Sequence, residues 1–122
     1  MKKPARLITV TRADLTSGYQ TVQSAHAVAD FAFKRPFKFL KWRLFGQYLI
    51  SLAVADQQSL YDLRKKLHAE GIDFVDFFES DVEEITAICI APSKKADLFT
   101  KGLKLANKKE GVISKNYLKQ QS

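Results

Sequence analysis

The chain has 122 residues, 46% hydrophobic and 11% aromatic, which is enough for one packed core and too little for a second globular unit. A single cysteine, Cys89, excludes an intramolecular disulfide and a cysteine-based zinc site, two histidines leave little for other metals, and no run nears the ~20 apolar residues of a membrane span. The charge of +7 is uneven: residues 1–69 carry 12 basic and 4 acidic groups, 70–84 carry none and 7, and 85–122 carry 8 and 2, a pattern that suits a polyanionic partner as well as plain solubility.

Arg6–Arg12 (RLITVTR) reads as a strand buried on both faces. Asp14, Leu15, Thr16, Ser17 and Gly18 are turn and cap residues, and a helix over 20–34 follows, with Val22, Ala25, Ala29 and Ala32 on its apolar stripe and Val28 and Phe31 widening it. Pro36 stops that run. Residues 37–45 make a second short helix ending at Gly46, and Tyr48–Val54 is a second strand. Asp56 caps a third helix, Gln57–Glu70, with Leu60, Leu63 and Leu67 at spacings of three and four, closed by Gly71. Strands follow over 72–78 and 85–91, joined by an acidic link, and a last helix over 93–105 is weakened by Gly102. The order β-α-α-β-α-β-β-α predicts a single α/β domain over 1–105, with a mixed four-stranded sheet flanked by helices. Residues 106–122 read as a loosely held, lysine-rich tail.

In open α/β sheets ligands bind beyond the carboxyl ends of strands, which puts the first turn and the following helix N-terminus in view. Arg12, Asp14, Gly18, Tyr19, Gln20, Gln23 and His26 lie there, and Gln23 and His26, three apart, share a helix face. His26 is then either a hydrogen-bonded structural residue or an acid–base group, and Asp14 either a turn residue or a catalyst. Five cations, Lys34, Arg35, Lys38, Lys41 and Arg43, interleave with Phe37, Phe39 and Trp42. One reading has the cations on phosphates and a ring on a base. The other, preferred for Phe37, Leu40 and Leu44, is an amphipathic helix with its rings in the core, Trp42 being the more open case. Lys94 and Lys95 would extend a phosphate track, and Arg64, Lys65 and Lys66 form one solvated helix face. Cys89, in an apolar strand, is expected to be buried and inert.

Arg12, Asp14, Leu15, Gly18, Thr21, Val22, Gln23, Ser24, Ala25, His26 and Ala27 together resemble the signature of the second, archaeal and eukaryotic type of peptidyl-tRNA hydrolase. The likeness runs on through Tyr48–Val54 and through 86–92 with Ala96, Asp97 and Leu98, covering about residues 6–105. It implies an esterase acting between a peptide, or N-blocked amino acid, and tRNA, on a mixed sheet flanked by helices, commonly homodimeric and without metal or cofactor, while the lack of an apolar span predicts a cytoplasmic protein without a membrane partner. It places His26, Gln23, Tyr19, Asp14 and Thr86 at the active site, with Glu79 or Asp81 as the nearest match for the family's carboxylate. Arg12, Gly18, Gln20, Lys34, Arg35, Lys38, Lys41, Arg43, Lys94 and Lys95 would contact substrate or tRNA. Tyr19 stands where the family has a lysine, and the link between the last two strands is shorter than the family's. A catalytically inactive binding module on the same fold is therefore the rival reading.

Overall fold

The computed structural model describes residues 5–107, so the tail beyond Asn107, with Lys108, Lys109 and the apolar Val112, Ile113, Tyr117 and Leu118, lies outside the described residues. In chain order the elements are β1 (Arg6–Arg12), α1 (Ser17–Lys34), α2 (Pro36–Phe45), β2 (Tyr48–Val54), α3 (Gln57–Ala69), β3 (Phe74–Glu79), β4 (Glu84–Ile90), α4 (Lys94–Thr100) and β5 (Lys104–Leu105). Among the described residues no helix is long and apolar enough to cross a membrane.

The sheet has five strands rather than the expected four, in the order β3-β4-β1-β2-β5. The extra strand arises where the last helix was expected to continue. It ends instead at Thr100, Gly102 takes a left-handed turn at φ +97°, and Lys104 and Leu105 pair antiparallel with Ala53 and Leu52. The first helical crossover lays β2 parallel to β1. The second carries the chain from β2 to the far edge, where β3 pairs only with β4, and β4 runs antiparallel to both β3 and β1. Helices thus cover both faces of a mixed sheet, as the element order predicts.

Alternation along the strands gives the two faces different chemistry. Ile8, Val10, Leu52, Val54, Ile88 and Ile90 pack with Leu60, Leu63 and Leu67 of α3 in one apolar cluster. The opposite face of β1 carries Leu7, Thr9 and Thr11, and beneath α1 the apolar packing is thinner: Leu7, Ala27, Phe31, Trp42, Val75, Ala87, Cys89 and Ala91. Burial raises the Cys89 thiol pKa, which keeps it protonated, in keeping with its apolar strand.

Two helices bury other faces than their sequences suggest. α1 buries Gln20, Gln23, Ser24, Ala27 and Phe31, while Val22, Ala25 and Ala29 are exposed. Its start is also earlier, at Ser17, because the Thr16 hydroxyl accepts from the Tyr19 amide and caps it. In α2 the Trp42 indole N–H donates to the Tyr48 carbonyl at 2.7 Å, and its ring is buried beside Phe39. At about 100° per residue, turning Phe39 and Trp42 inward turns Phe37, Leu40 and Leu44 out, and all three are exposed. The expected core positions therefore lie outside, and Trp42, which the sequence leaves undecided, lies in the core. Arg64 likewise leaves the solvated face expected for it and makes a bidentate pair with Asp76 of β3.

Candidate active site

The bulge in β4 builds the site. Phe77 of β3 pairs with Ala87, yet the next residue, Phe78, pairs with Ile85, so Thr86 is an extra residue on its strand. The bulge brings Thr86 toward α1, where its hydroxyl donates to the Gln23 side-chain carbonyl at 2.7 Å and its own backbone carbonyl accepts from the Thr11 hydroxyl at 2.8 Å. From the other end of the amide, Gln23 Nε2 donates to Glu79 Oε2 at 3.1 Å. Gln23 is wholly buried and engaged at both ends, so it holds other groups in place rather than facing a substrate.

Glu79 ends β3 and meets α1 through that amide. Its carboxyl is held below the usual glutamate range, most by the backbone N–H of Asp81, then by Gln23, with smaller help from His26 and the Ser80 amide, against a modest opposing effect of burial. It is therefore ionised at neutral pH. Asp81 is exposed and supplies the backbone N–H that anchors Glu79. Tyr19, half-buried in the first turn of α1, has its phenol pushed up by burial and then by the charges of Glu79 and Asp81, so it stays a hydrogen-bond donor. His26 is exposed, with its ring stacked on Phe77 at 4.6 Å between centroids and 12° between planes. Tyr19, Gln23, His26, Glu79 and Thr86 thus meet where α1 crosses the end of β3 and the start of β4. Gly18 borders them, and a side chain there would meet nothing within 4 Å.

The turn after β1 is a separate, self-satisfied unit. Arg12 makes a bidentate pair with Asp14 at 3.1 and 3.0 Å and a third bond to Glu84 at 2.9 Å, which raises its pKa further. Gln20 donates to the Leu15 carbonyl and accepts from the Asn107 amide, tying the end of the described chain to α1. Arg12 and Gln20, both expected to touch substrate, spend their polar atoms inside the protein.

The expected phosphate contacts lie elsewhere. Arg35 and Lys38 converge on Asp73, just before β3, at the opposite end of the sheet from Glu79. Lys38, Lys41, Lys94 and Lys95 border a cleft of about 600 Å³ at that end, with Trp42 and Phe45 on its wall. Lys34 and Arg43 are exposed. From Gln23 to Lys34 the helix rises by about 16 Å. Among the described residues no three His, Cys, Asp or Glu side chains are gathered as for a metal ion. Sequence reasoning missed Thr11, at which the alternation of β1 hints, since it shares a face with Leu7 and Thr9. The acidic link reads in the sequence as an internal counterweight to the basic groups, and Glu84 is one, but nothing in the sequence marks Arg12 as its partner.

A family model described as peptidyl-tRNA hydrolase PTH2 matches residues 5–106. The fold is similar to the solved structure of a protein of unknown function from Agrobacterium tumefaciens, with a TM-score of 0.62 and 13% identity over 85% of this chain and 98% of that one.

Proposed function

Because the chain belongs to the peptidyl-tRNA hydrolase PTH2 family, we propose that it hydrolyses the ester between a peptide, or N-blocked amino acid, and the 3′ end of tRNA. The observation that carries this reading is the fixed line Thr86–Gln23–Glu79, with His26 and Tyr19 at its open edge. His26 is the exposed base: it takes a proton from a water as that water's oxygen adds to the ester carbonyl carbon. Tyr19 donates a hydrogen bond to the oxygen that becomes negative, the task left open by the absent lysine. Glu79, ionised and near His26, offsets the positive charge that the imidazole gains. Collapse of the tetrahedral adduct breaks the bond to the ribose oxygen, which takes the proton back from His26, leaving a free carboxylic acid and tRNA. Gln23 and Thr86 position Glu79 and do not touch substrate.

In this reading Lys94 and Lys95, with Lys38 and Lys41 across the cleft, take phosphates of the tRNA body. The homodimer common in the family belongs to the same reading and is tested by sedimentation velocity. The deciding experiment is release of N-acetyl amino acid from N-acetyl-aminoacyl-tRNA, with EDTA present and a His26→Ala control. Turnover that falls by about 10²- to 10⁴-fold in the control supports the assignment. A control with full activity removes His26 from the mechanism. Tight, salt-dependent tRNA binding without turnover makes the protein a binding module.

A further inference from the structure

Between Asp30 and Asp56 there is no acidic residue, and this stretch holds the most exposed large apolar side chains among the described residues. Phe33, Phe37 and Phe45 are 85%, 85% and 80% exposed, and Leu40 and Leu44 more than half. On α2, Phe37, Leu40 and Leu44 recur at i, i+3 and i+7 and so form one outward stripe. At about 100° per residue, Lys41 falls on one flank of that stripe and Arg43 on the other, with the buried Trp42 behind. Lys34 follows Phe33 in the last turn of α1. Such an apolar surface is uncommon on a protein that meets only water.

Charge decides among the occupants. A second copy docked through a two-fold axis would set this patch against itself, cation facing cation, with no acid in the stretch to pair them. Nucleic acid would satisfy the cations and its bases could stack on the phenylalanines, but Leu40 and Leu44, which carry no ring, would stay uncovered in the middle of the stripe. An anionic bilayer surface satisfies both: acyl chains take the stripe and headgroups take Lys34, Lys41 and Arg43. We propose that the outward face of α2, with Phe33, docks on anionic lipid and lies in the interface rather than spanning it. The sequence, searched for spans, predicts no membrane partner. The exposure of these rings is what points to one.

The test is co-sedimentation of the full chain with vesicles of phosphatidylglycerol and phosphatidylcholine, compared with phosphatidylcholine alone. The anionic vesicles should bind it about a hundredfold better, and the double variant Phe33→Ala, Phe37→Ala should lower that binding by about tenfold or more. Both rings are exposed, so circular dichroism should show the variant folded. Reversing Lys34, Lys41 and Arg43 to Glu should remove the preference for anionic lipid. Three results would each overturn the proposal: no sedimentation with anionic vesicles, equal binding to both vesicle types, or a dimer in sedimentation velocity that Phe37→Asp dissociates. Loss of tRNA retention in the Phe double variant, with vesicles unbound, would assign the face to nucleic acid instead.

Discussion

The two faces of the sheet are made by the same strands and differ in kind. Under α3, Ile8, Val10, Ile88 and Ile90 meet leucines, and the contact is apolar throughout. Under α1, Thr9, Thr11 and Thr86 of the sheet and Gln20, Gln23 and Ser24 of the helix are all buried, and Thr86 bonds Gln23. Burying apolar area stabilises without regard to direction, whereas burying amides and hydroxyls yields little net stability once water is exchanged for protein partners. What the polar face gains is orientation: each hydrogen bond fixes an angle as well as a distance. The comparison teaches that α3 holds the sheet together while α1 holds a carboxylate in place.

If so, substitutions on the two faces should separate stability from activity. Leu67→Ala, beneath α3, should destabilise by about 2–5 kcal/mol in urea unfolding and leave turnover per folded molecule unchanged. Gln23→Leu keeps the volume but strips partners from Glu79 and the buried Thr86 hydroxyl, so it should cost about 1–3 kcal/mol. Its turnover should fall by about ten- to a hundredfold through a misplaced carboxylate. A Gln23→Leu protein with normal turnover would break the comparison, since the polar face would then be mere packing.

At the edge of the sheet, Asp73 tests a smaller electrostatic effect. Burial pushes its carboxyl up, but Arg35 and Lys38 outweigh that and leave it below the ordinary 3.8. A depressed carboxylate contributes stability that is present above its unfolded value and is lost as pH falls through its folded value. Asp73→Asn should therefore cost about 1 kcal/mol near neutral pH, solvent screening at half-exposed Lys38 included. The difference from the unaltered protein should vanish in strong acid, which paired urea titrations would measure. The smallest effect belongs to Ser24, whose buried hydroxyl has no partner among the described residues. Ser24→Ala should change stability by less than about 0.5 kcal/mol, or raise it, and a large loss would mean that the hydroxyl holds an ordered water in the polar layer.

Much of the site was legible before any coordinates. The run from Arg12 to Ala27 pointed to the family and put Gln23 and His26 on one helix face, because spacing on a helix is geometry that a linear sequence carries. The choice between Glu79 and Asp81 was not legible. Only the fold shows that Glu79, which shares a face of β3 with Val75 and Phe77, meets Gln23 of α1, while Asp81 lies beyond the strand. The contact of Arg12 with Asp14, two residues on, was within reach of the sequence, whereas its bond to Glu84, 72 residues away, was hidden.

By itself the sequence determined the order of the first eight elements, the single α/β domain and the family signature, but not β5, since apolar periodicity, caps and breakers act over a few residues. Tertiary structure alone decided which helix faces turned inward. A helix buries whatever complements the surface beneath it, so α1 laid amides on threonines and left Val22 outside, and α2 followed its indole and left three apolar side chains in water. It also decided that Lys38, Lys41, Lys94 and Lys95 stand at the opposite end of the sheet from the candidate catalytic residues. Only the path of the chain across five strands, and no local propensity, sets that distance.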